Sequence, residues 1–409
     1  MNLLFVHQNF PGQYKSLLPF CYRAGHQVVA MGARPLPAKR PSWMQYLCYP
    51  YDRSSSTGID PLAQEFETKM IRARSCANAA IRLRDQGFEP DVICVHTGWG
   101  EDLFLADVWP RARLLGYCEY YYNATGFDYG FDPEFPPADL AFGERKLRAK
   151  NASILLSHQQ LNAGVSPTHF QHGSHPEALR GRIRVIHDGI HTASIAPNDD
   201  VTIEVRGRRF SRRDEVLTYV SRSLEPTRGF HTFMRALPRL MAERPEAQVI
   251  IIGAPDGGYG ATPEVPFKQQ LLSELQGQLD LERLYFVGRI PYPDFLRVLM
   301  VSRCHIYLTV PFVLSWSLLE SMAAGCVVLG SDTAPVRELI RHGHNGVLVD
   351  FFDPQALADQ AAAVLATPVD YEPLRQAARA TIVDGYDLPH CLSQHLALIE
   401  AVAAEAPRR

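Results

Sequence analysis

The sequence predicts an α/β protein built from two doubly wound units with parallel sheets. Three observations point to it. Apolar, β-branched runs alternate with helix-length amphipathic segments from residue 2 onward, the pattern of βαβ units. That pattern fades over residues 187–213 and then restarts. The chain has 409 residues, 46% of them hydrophobic. One core seldom organises so much, and a prior of roughly one domain per 100–200 residues gives two to four domains.

The elements follow in order. Asn2–Val6 reads as a buried strand, His7–Gln13 as a polar turn, and the segment with Leu17, Leu18, Phe20 and Cys21 as a helix. Gly25 stops that helix and Gln27–Met31 is the next strand, so the first βαβ unit closes within 31 residues. Residues 41–60 are rich in Pro, Tyr and Ser and read as irregular; 61–86 read as a long helix. Strands are predicted at 91–96 and 113–120, the second leading into an aromatic stretch, Tyr120–Phe135. A helix pair is expected over 138–161, with short strands at 163–166 and 183–186. After the junction come strands at 216–220, 249–252, 284–287, 304–308, 327–330 and 346–349. Helices at 230–243, 271–279, 294–300, 318–324 and 336–341 separate them, and two more helices close the chain. The expected division is a first domain over 1–190, a linker over 191–213 and a second domain over 214–387.

Composition narrows the function. Forty-one Lys plus Arg against 44 Asp plus Glu leaves a formal charge of −3. That excludes a disordered chain and argues against a general nucleic-acid binder, which carries a strong basic excess. The longest apolar runs, such as Met322–Leu329, fall far short of the roughly 20 residues of a membrane helix. The start has no basic region and reads as a strand, not a signal peptide. Eight cysteines are scattered with no C-x-x-C pair, which favours reduced buried thiols. The expected location is therefore the cytoplasm, where the sequons at Asn123 and Asn151 carry no meaning.

Five features bear on chemistry. A strand at Ile306–Leu308 runs into a loop, a helix opens around Ser315, Trp316 and Ser317, Gly325 stops it, and another strand follows before Asp332. A helix start attracts an anion such as a diphosphate. Glu320 lies on an otherwise apolar helix, where its carboxylate either accepts hydrogen bonds from a ribose diol or faces solvent. In Ser221–Phe230, Arg222 and Arg228 follow a strand in a Pro- and Gly-bearing turn. Their forks suit phosphate oxygens, although for this segment taken alone surface ion pairs are the simpler explanation. The first loop offers Asn9 and Gly12, and His96 ends a later strand; each fits a ligand contact or a structural role. The loop has neither G-x-G-x-x-G nor a Gly-Lys-Ser/Thr motif. His187, Asp188 and His191 sit at the junction with poor metal spacing, and no D-x-D occurs to anchor a metal-bound nucleotide sugar. No metal is therefore expected. Arg145, Lys146, Arg148 and Lys150 crowd one helical stretch, which fits contact with an anionic membrane surface or a solvated face. With 20 basic and 18 acidic residues up to position 190 the first unit is +2, leaving −5 for the rest.

Together these motifs resemble glycosyltransferase family 4, over essentially the whole chain. Leu217–Gly229, Ile250–Gly253, Phe286-Val287-Gly288-Arg289, Ser317–Gly325, Ser331-Asp332 with Glu338, and Asn345-Gly346 carry the resemblance. Phe5-Val6-His7-Gln8-Asn9-Phe10-Pro11-Gly12-Gln13 looks like an N-terminal subgroup of that family. The resemblance implies the GT-B fold: two facing Rossmann-like domains with an interdomain cleft, the last helix, about 388–409, returning to the first. It implies that Arg222 and Arg228 hold the donor diphosphate, the second of them standing where the family has Lys. It further implies that Glu320 binds the ribose, that main chain near Arg289 and Ile290 meets the base, and that His96 contacts the sugar near the reacting carbon. The family's other motif glutamate is replaced by Phe312.

The implied activity is retaining transfer of a sugar from a nucleotide-diphosphate sugar, UDP- or GDP-linked, to a saccharide or lipid-linked acceptor. Family habit places this in cell-surface polysaccharide or glycoconjugate assembly. The acceptor is expected near Trp99, Tyr121 and the aromatic stretch. A sugar-nucleotide epimerase, a phosphorylase and a non-catalytic nucleotide-binding module are the alternatives.

Overall fold

The first strands appear where continuous apolar runs demand burial on both faces, as parallel sheets do. The computed structural model describes residues 1–36, 41–259 and 263–407. It divides into two units, each with its own parallel sheet. The first comprises Met1–Thr125, Pro137–Gly189 and the chain from Pro389 on; the second comprises Gly126–Pro136 and Ile190–Leu388.

In the first unit β1 (Asn2–Val6), α1 (Leu17–Arg23) and β2 (Gln27–Gly32) make the opening βαβ. Then come β3 (Gln45–Cys48), α2 (Gln64–Asp85), β4 (Val92–His96), α3 (Leu105–Val108) and β5 (Arg113–Tyr117). They are followed by α4 (Leu140–Gln160), β6 (Ala163–Ser166), α5 (His169–Ser174), α6 (Glu177–Arg180) and β7 (Ile183–Val185). The sheet order is β3-β2-β1-β4-β5-β6-β7. Leu4, Val6, Val29, Met31, Ile93, Val95 and Trp109 form its core, and the Trp109 indole N–H donates to the Phe88 carbonyl at 3.1 Å.

The second unit opens with β8 (Thr202–Val205) and β9 (Arg208–Ser211), an antiparallel hairpin outside the main sheet. Next come β10 (Val216–Ser223), α7 (Phe230–Glu243), β11 (Gln248–Ala254), α8 (Phe267–Glu274) and β12 (Leu284–Gly288). Then follow α9 (Tyr292–Val301), β13 (Cys304–Tyr307), α10 (Trp316–Ala323), β14 (Val327–Ser331), α11 (Ala334–Arg337) and β15 (Val347–Val349). Helices α12 (Pro354–Ala366) and α13 (Glu372–Tyr386) complete it, and α14 (Leu388–Ala403) carries the chain into the first unit. The sheet order is β12-β11-β10-β13-β14-β15.

Several expectations need correcting. Residues 45–48 are a parallel edge strand within the stretch read as irregular; they are short and partly exposed, so no apolar run marks them. The helix pair over 138–161 is one helix, capped by Asp139 and interrupted by no proline. The helix expected at 271–279 lies at Phe267–Glu274. Three helices, not two, follow β15, because Pro389 opens α14 directly after α13 ends. The stretch 191–213, read as a linker, belongs to the second unit: it holds the β8–β9 hairpin, and Ile195 and Phe210 are buried in that unit's core. The last two residues of the closing segment lie outside the described residues.

The aromatic stretch is divided. Up to Thr125 it lies in the first unit, whereas Gly126–Pro136 packs within the second. There Phe131 stacks on Phe352, with centroids 5.3 Å apart, and Phe135 meets the His231 ring edge-on at 5.1 Å. Asp132 Oδ2 lies 3.2 Å from His231 Nε2. Arg235 donates to both Glu134 carboxylate oxygens at 2.6 and 2.7 Å. The placement of the whole stretch in the first domain fails for this half.

Candidate functional site

Ligands of doubly wound sheets bind beyond the carboxyl ends of the strands, where the strand order reverses. In the second sheet that reversal falls between β10 and β13. Arg222 and Arg228 lie at and beyond the end of β10, and Ser315–Glu320 follow β13. Two segments remote in sequence thus meet at the place where such a sheet takes a ligand.

Arg222 is exposed, so its fork faces solvent. Arg228 is buried. Its Nη1 donates to Thr309 Oγ1 at 2.8 Å and to the Val313 carbonyl at 3.0 Å. The guanidinium carbon lies 5.6 Å from the Tyr259 ring centre and 5.9 Å from that of Phe312. The two rings meet edge-on at 4.9 Å. Phe312 therefore gives Arg228 an aromatic face, a cation–π contact, where the resembled family carries a carboxylate. Glu225 holds the neighbouring loop by accepting the Tyr259 N–H at 2.9 Å. At Gly229, with φ of +63°, a Cβ would come within 2.5 Å of the Leu308 Cβ. The turn from Arg228 into α7 therefore needs glycine.

Ser315 caps α10, its hydroxyl accepting the Ser317 N–H. The Ser315 N–H goes to the Tyr307 hydroxyl at 2.8 Å and the Leu318 N–H to the Ser315 carbonyl at 3.2 Å. The helix start predicted as an anion site is thus partly satisfied by its own cap; its dipole remains. Trp316 is exposed beside it. Glu320 is buried and accepts the Tyr292 hydroxyl proton at 2.5 Å. The solvent-facing reading of Glu320 is therefore overturned. Tyr292, held beside this carboxylate and half-buried, has its phenol pushed up by burial first and by Glu320 second. Arg289 is exposed after β12, and the Ile290 side chain packs against the core.

The first sheet reverses between β1 and β4. His7 and Gly12 follow β1, while His96 ends β4 and Trp99 follows it. Each of three strand-end histidines is oriented in one way. His7, His96 and His187 each accept at Nδ1 the N–H of the residue two positions on, all at 3.0 Å. That bond leaves the neutral ring's proton on Nε2. His96 Nε2 faces Glu119 Oε2 at 3.4 Å, and its ring lies 5.6 Å from both His7 and Trp99. Burial first, and His96 second, hold His7 down at about 4. Burial raises the Glu119 carboxyl but the His96 contact outweighs it, so the group stays ionised.

Gly12 has φ of +50°, and a Cβ there would stand 2.5 Å from the His7 ring. The His7 contact alone is enough to require glycine there. Gly12→Ala is expected to cost about 1–3 kcal/mol in strain. Gly25→Ala is the control, since φ there is +91° and nothing lies within 4 Å of the added Cβ. Urea titrations of both variants should show the larger loss at Gly12; equal losses would mean the His7 contact is slack.

Of the residues singled out in the sequence, Arg222, Arg228, Ser315, Trp316, Ser317 and Glu320 share the second sheet's reversal. Gly12, His96 and Trp99 share the first's. Asn9 is exposed at the same loop and contributes its N–H to His7. Tyr121 stands apart: its N–H donates to Ser174 Oγ at 2.9 Å and its ring lies 6.0 Å from His175. Of the basic helical stretch, Lys150 turns to Glu65 at 3.5 Å and to the Tyr122 ring at 3.7 Å. Sequence reasoning missed Glu119, Tyr259 and Tyr292, because nothing local marks them. Among the described residues no helix is long and apolar enough to cross a membrane.

Two parallel doubly wound units of this order make the GT-B architecture. Sucrose-phosphate synthase from Thermosynechococcus elongatus shares the fold, with TM-score 0.72 and 15% identity over 99% of both chains. So does HepE of Anabaena, solved with UDP-glucose, with TM-score 0.66 and 15% identity over 98% of this chain and 100% of that one. Residues 24–195 match the model of the glycosyl transferase family 4 group, and residues 202–381 match that of glycosyl transferases group 1. The chain belongs to glycosyltransferase family 4. It is 28% identical over 237 residues to a D-inositol 3-phosphate glycosyltransferase of Streptomyces avermitilis, covering 56% of this chain and 47% of the relative. It is 29% identical over 206 residues to a phosphatidyl-myo-inositol mannosyltransferase of Mycobacterium leprae, covering 49% and 50%. The chain thus spans about half the length of the curated relatives it matches.

Proposed function

We propose that this chain is a retaining glycosyltransferase that moves a sugar from a nucleotide-diphosphate sugar to a saccharide or lipid-linked acceptor. The observation that carries the reading is that the segments after β10 and β13, which hold Arg222 and Ser315–Glu320, both leave the second sheet at its reversal. In this reading Arg222 holds the diphosphate, helped by the dipole of α10. Glu320, fixed by Tyr292, accepts from the ribose hydroxyls. Main chain near Arg289 and Ile290 meets the base. Arg228 sets the loop that carries these contacts and offers the rest of its fork to the departing phosphate.

Charge develops on the diphosphate as the glycosidic bond breaks, and fixed cations aimed there lower the barrier. His96, with its proton on Nε2, donates toward a sugar or acceptor oxygen. Retention rests on the family resemblance, with the acceptor oxygen attacking from the leaving group's face. Phe312 and Tyr259 leave the neighbouring surface aromatic, so sugar hydroxyls there are read by other groups. UDP- and GDP-sugars are the donors of choice, used without a metal; assembly of cell-surface glycoconjugates in the cytoplasm is the proposed setting.

Thermal unfolding against UDP, GDP, ADP, CDP and TDP tests the donor site. A diphosphate at about 100 times its Kd adds about 2.7 kcal/mol. One nucleotide is expected to raise Tm for the wild type, and Glu320→Ala to lose most of that rise. The 2′,3′-dideoxy form of the same nucleotide should bind both proteins equally weakly. No shift with any nucleotide would overturn the reading.

A further inference from the structure

Three side chains in the first unit converge on a point that the proposed transfer does not use. Cys118 follows β5, His158 lies in the last turn of α4 and His175 follows α5. Each offers one ligand atom, and these three atoms lie within 4.8 Å of one another. The residues are 0%, 4% and 1% exposed. Nε2 of His158 and Nε2 of His175 are both buried without a hydrogen-bond partner. A buried polar atom left unpaired costs about 1–3 kcal/mol, so two in one cluster require a reason.

The His175 ring is also prepared for a ligand. His175 Nδ1 lies 3.2 Å from the Gln171 carbonyl, which keeps the proton on Nδ1 and the lone pair on Nε2. Metal-bound imidazoles use the same second hydrogen bond to fix their tautomer.

We propose that Cys118, His158 and His175 form a zinc site with a structural role. One thiolate and two imidazoles suit zinc's borderline softness, with a water or a further group as fourth ligand. Tetrahedral bonds of about 2.0–2.3 Å set ligand atoms about 3.3–3.6 Å apart, so small side-chain rotations close the present spacing. As the sulfur–zinc bond forms, the Cys118 thiol proton passes to solvent, and binding tightens as pH rises. The metal would tie the end of β5 to α4 and α5. Glu119, which faces His96, is the next residue after Cys118, so the tie steadies that carboxylate. The inference stands independently of the proposed transfer.

The test uses the purified full chain. After zinc loading and exhaustive dialysis, elemental analysis should find one zinc per chain, and stripping with a chelator should lower Tm by several degrees. Cobalt(II) in place of zinc should give a sulfur-to-cobalt charge-transfer band in the near ultraviolet. Cys118→Ser should lose that band, and His175→Gln should lose stoichiometric zinc. Wild-type protein that holds only substoichiometric zinc, or cobalt-loaded wild type lacking the charge-transfer band, would overturn the proposal without any variant. Equal zinc in wild type and both variants would place the metal elsewhere and overturn it as well.

Discussion

Replacing Arg222 by alanine is expected to lower kcat/KM for the nucleotide sugar by about 10²–10³-fold while leaving stability within about 0.5 kcal/mol. The two halves of that expectation have one cause. Arg222 is exposed, so its removal leaves no cavity. In the proposed reaction its charge is used only where the diphosphate sits. Arg228→Ala should behave differently. That side chain is buried and bonded to Thr309 and Val313, so its loss should reduce Tm and turnover together. Arg222→Lys keeps the charge without the fork and should recover part of the loss. Steady-state rates with the nucleotide found by the thermal panel, measured beside melting curves, decide it. Unchanged turnover in Arg222→Ala would remove this arginine from the mechanism.

The second large effect is acid sensitivity. His7 and His395 are held down at about 4, and His187 and His305 at about 3, by burial above all. Their ordinary value is about 6.5. Above that value both folded and unfolded chains carry these rings neutral, and the native state has its full stability. As pH falls below 6.5 the unfolded chain takes up protons that the folded one refuses, so stability is lost down to the folded values. Each ring contributes about 1.4 kcal/mol per pH unit, and four together about 5–6. Total stabilities are only about 5–15 kcal/mol.

Two carboxyls run the other way. Burial raises Asp102 to about 7 and raises Glu101 as well, so each favours the fold as pH drops. Both sit in the first unit beside three of the four histidines, whereas His305 lies in the second. Urea midpoints should therefore fall between pH 7 and pH 5. His305→Asn, which keeps a polar partner for Thr218, should flatten that slope by about one proton. An identical slope in the variant would show that His305 is not locked neutral.

How much of this was legible in the sequence depends on where the information lies. Strands such as Val92–His96 and Gln248–Ala254 announce themselves, because burial on both faces requires unbroken apolar runs. The β8–β9 hairpin did not. Its two-residue turn is Arg206-Gly207, with φ of +50° and +74°, and arginine is not a residue that signals such a turn. The candidate site divides in the same way. Arg222 and Glu320 stood out because a charge sat beside a strand end or on an apolar helix. Tyr292 and Glu119 did not, because each matters only through a partner, Glu320 or His96, that the fold brings from elsewhere in the chain. Glu320 itself needed the structure to set aside the solvent-facing reading, since burial is not written in its neighbours. Gly12 illustrates a related limit of sequence: a glycine in a strand–helix turn suggests a ligand, and only the fold shows that it also makes room for His7.

The return of α14 to the first unit bears on how the protein is made. Residues of that helix, among them Cys391, Leu392, His395, Ile399 and Val402, are buried, and His395 reaches the His187 carbonyl at 3.2 Å. On a ribosome adding about 5–20 residues per second, the roughly 200 residues between Gly189 and Pro389 take about 10–40 s. Throughout that interval the nascent first unit stands with its docking surface for α14 bare. It is then a client for a holdase, and an antibody against that surface would recognise stalled chains and not the finished protein.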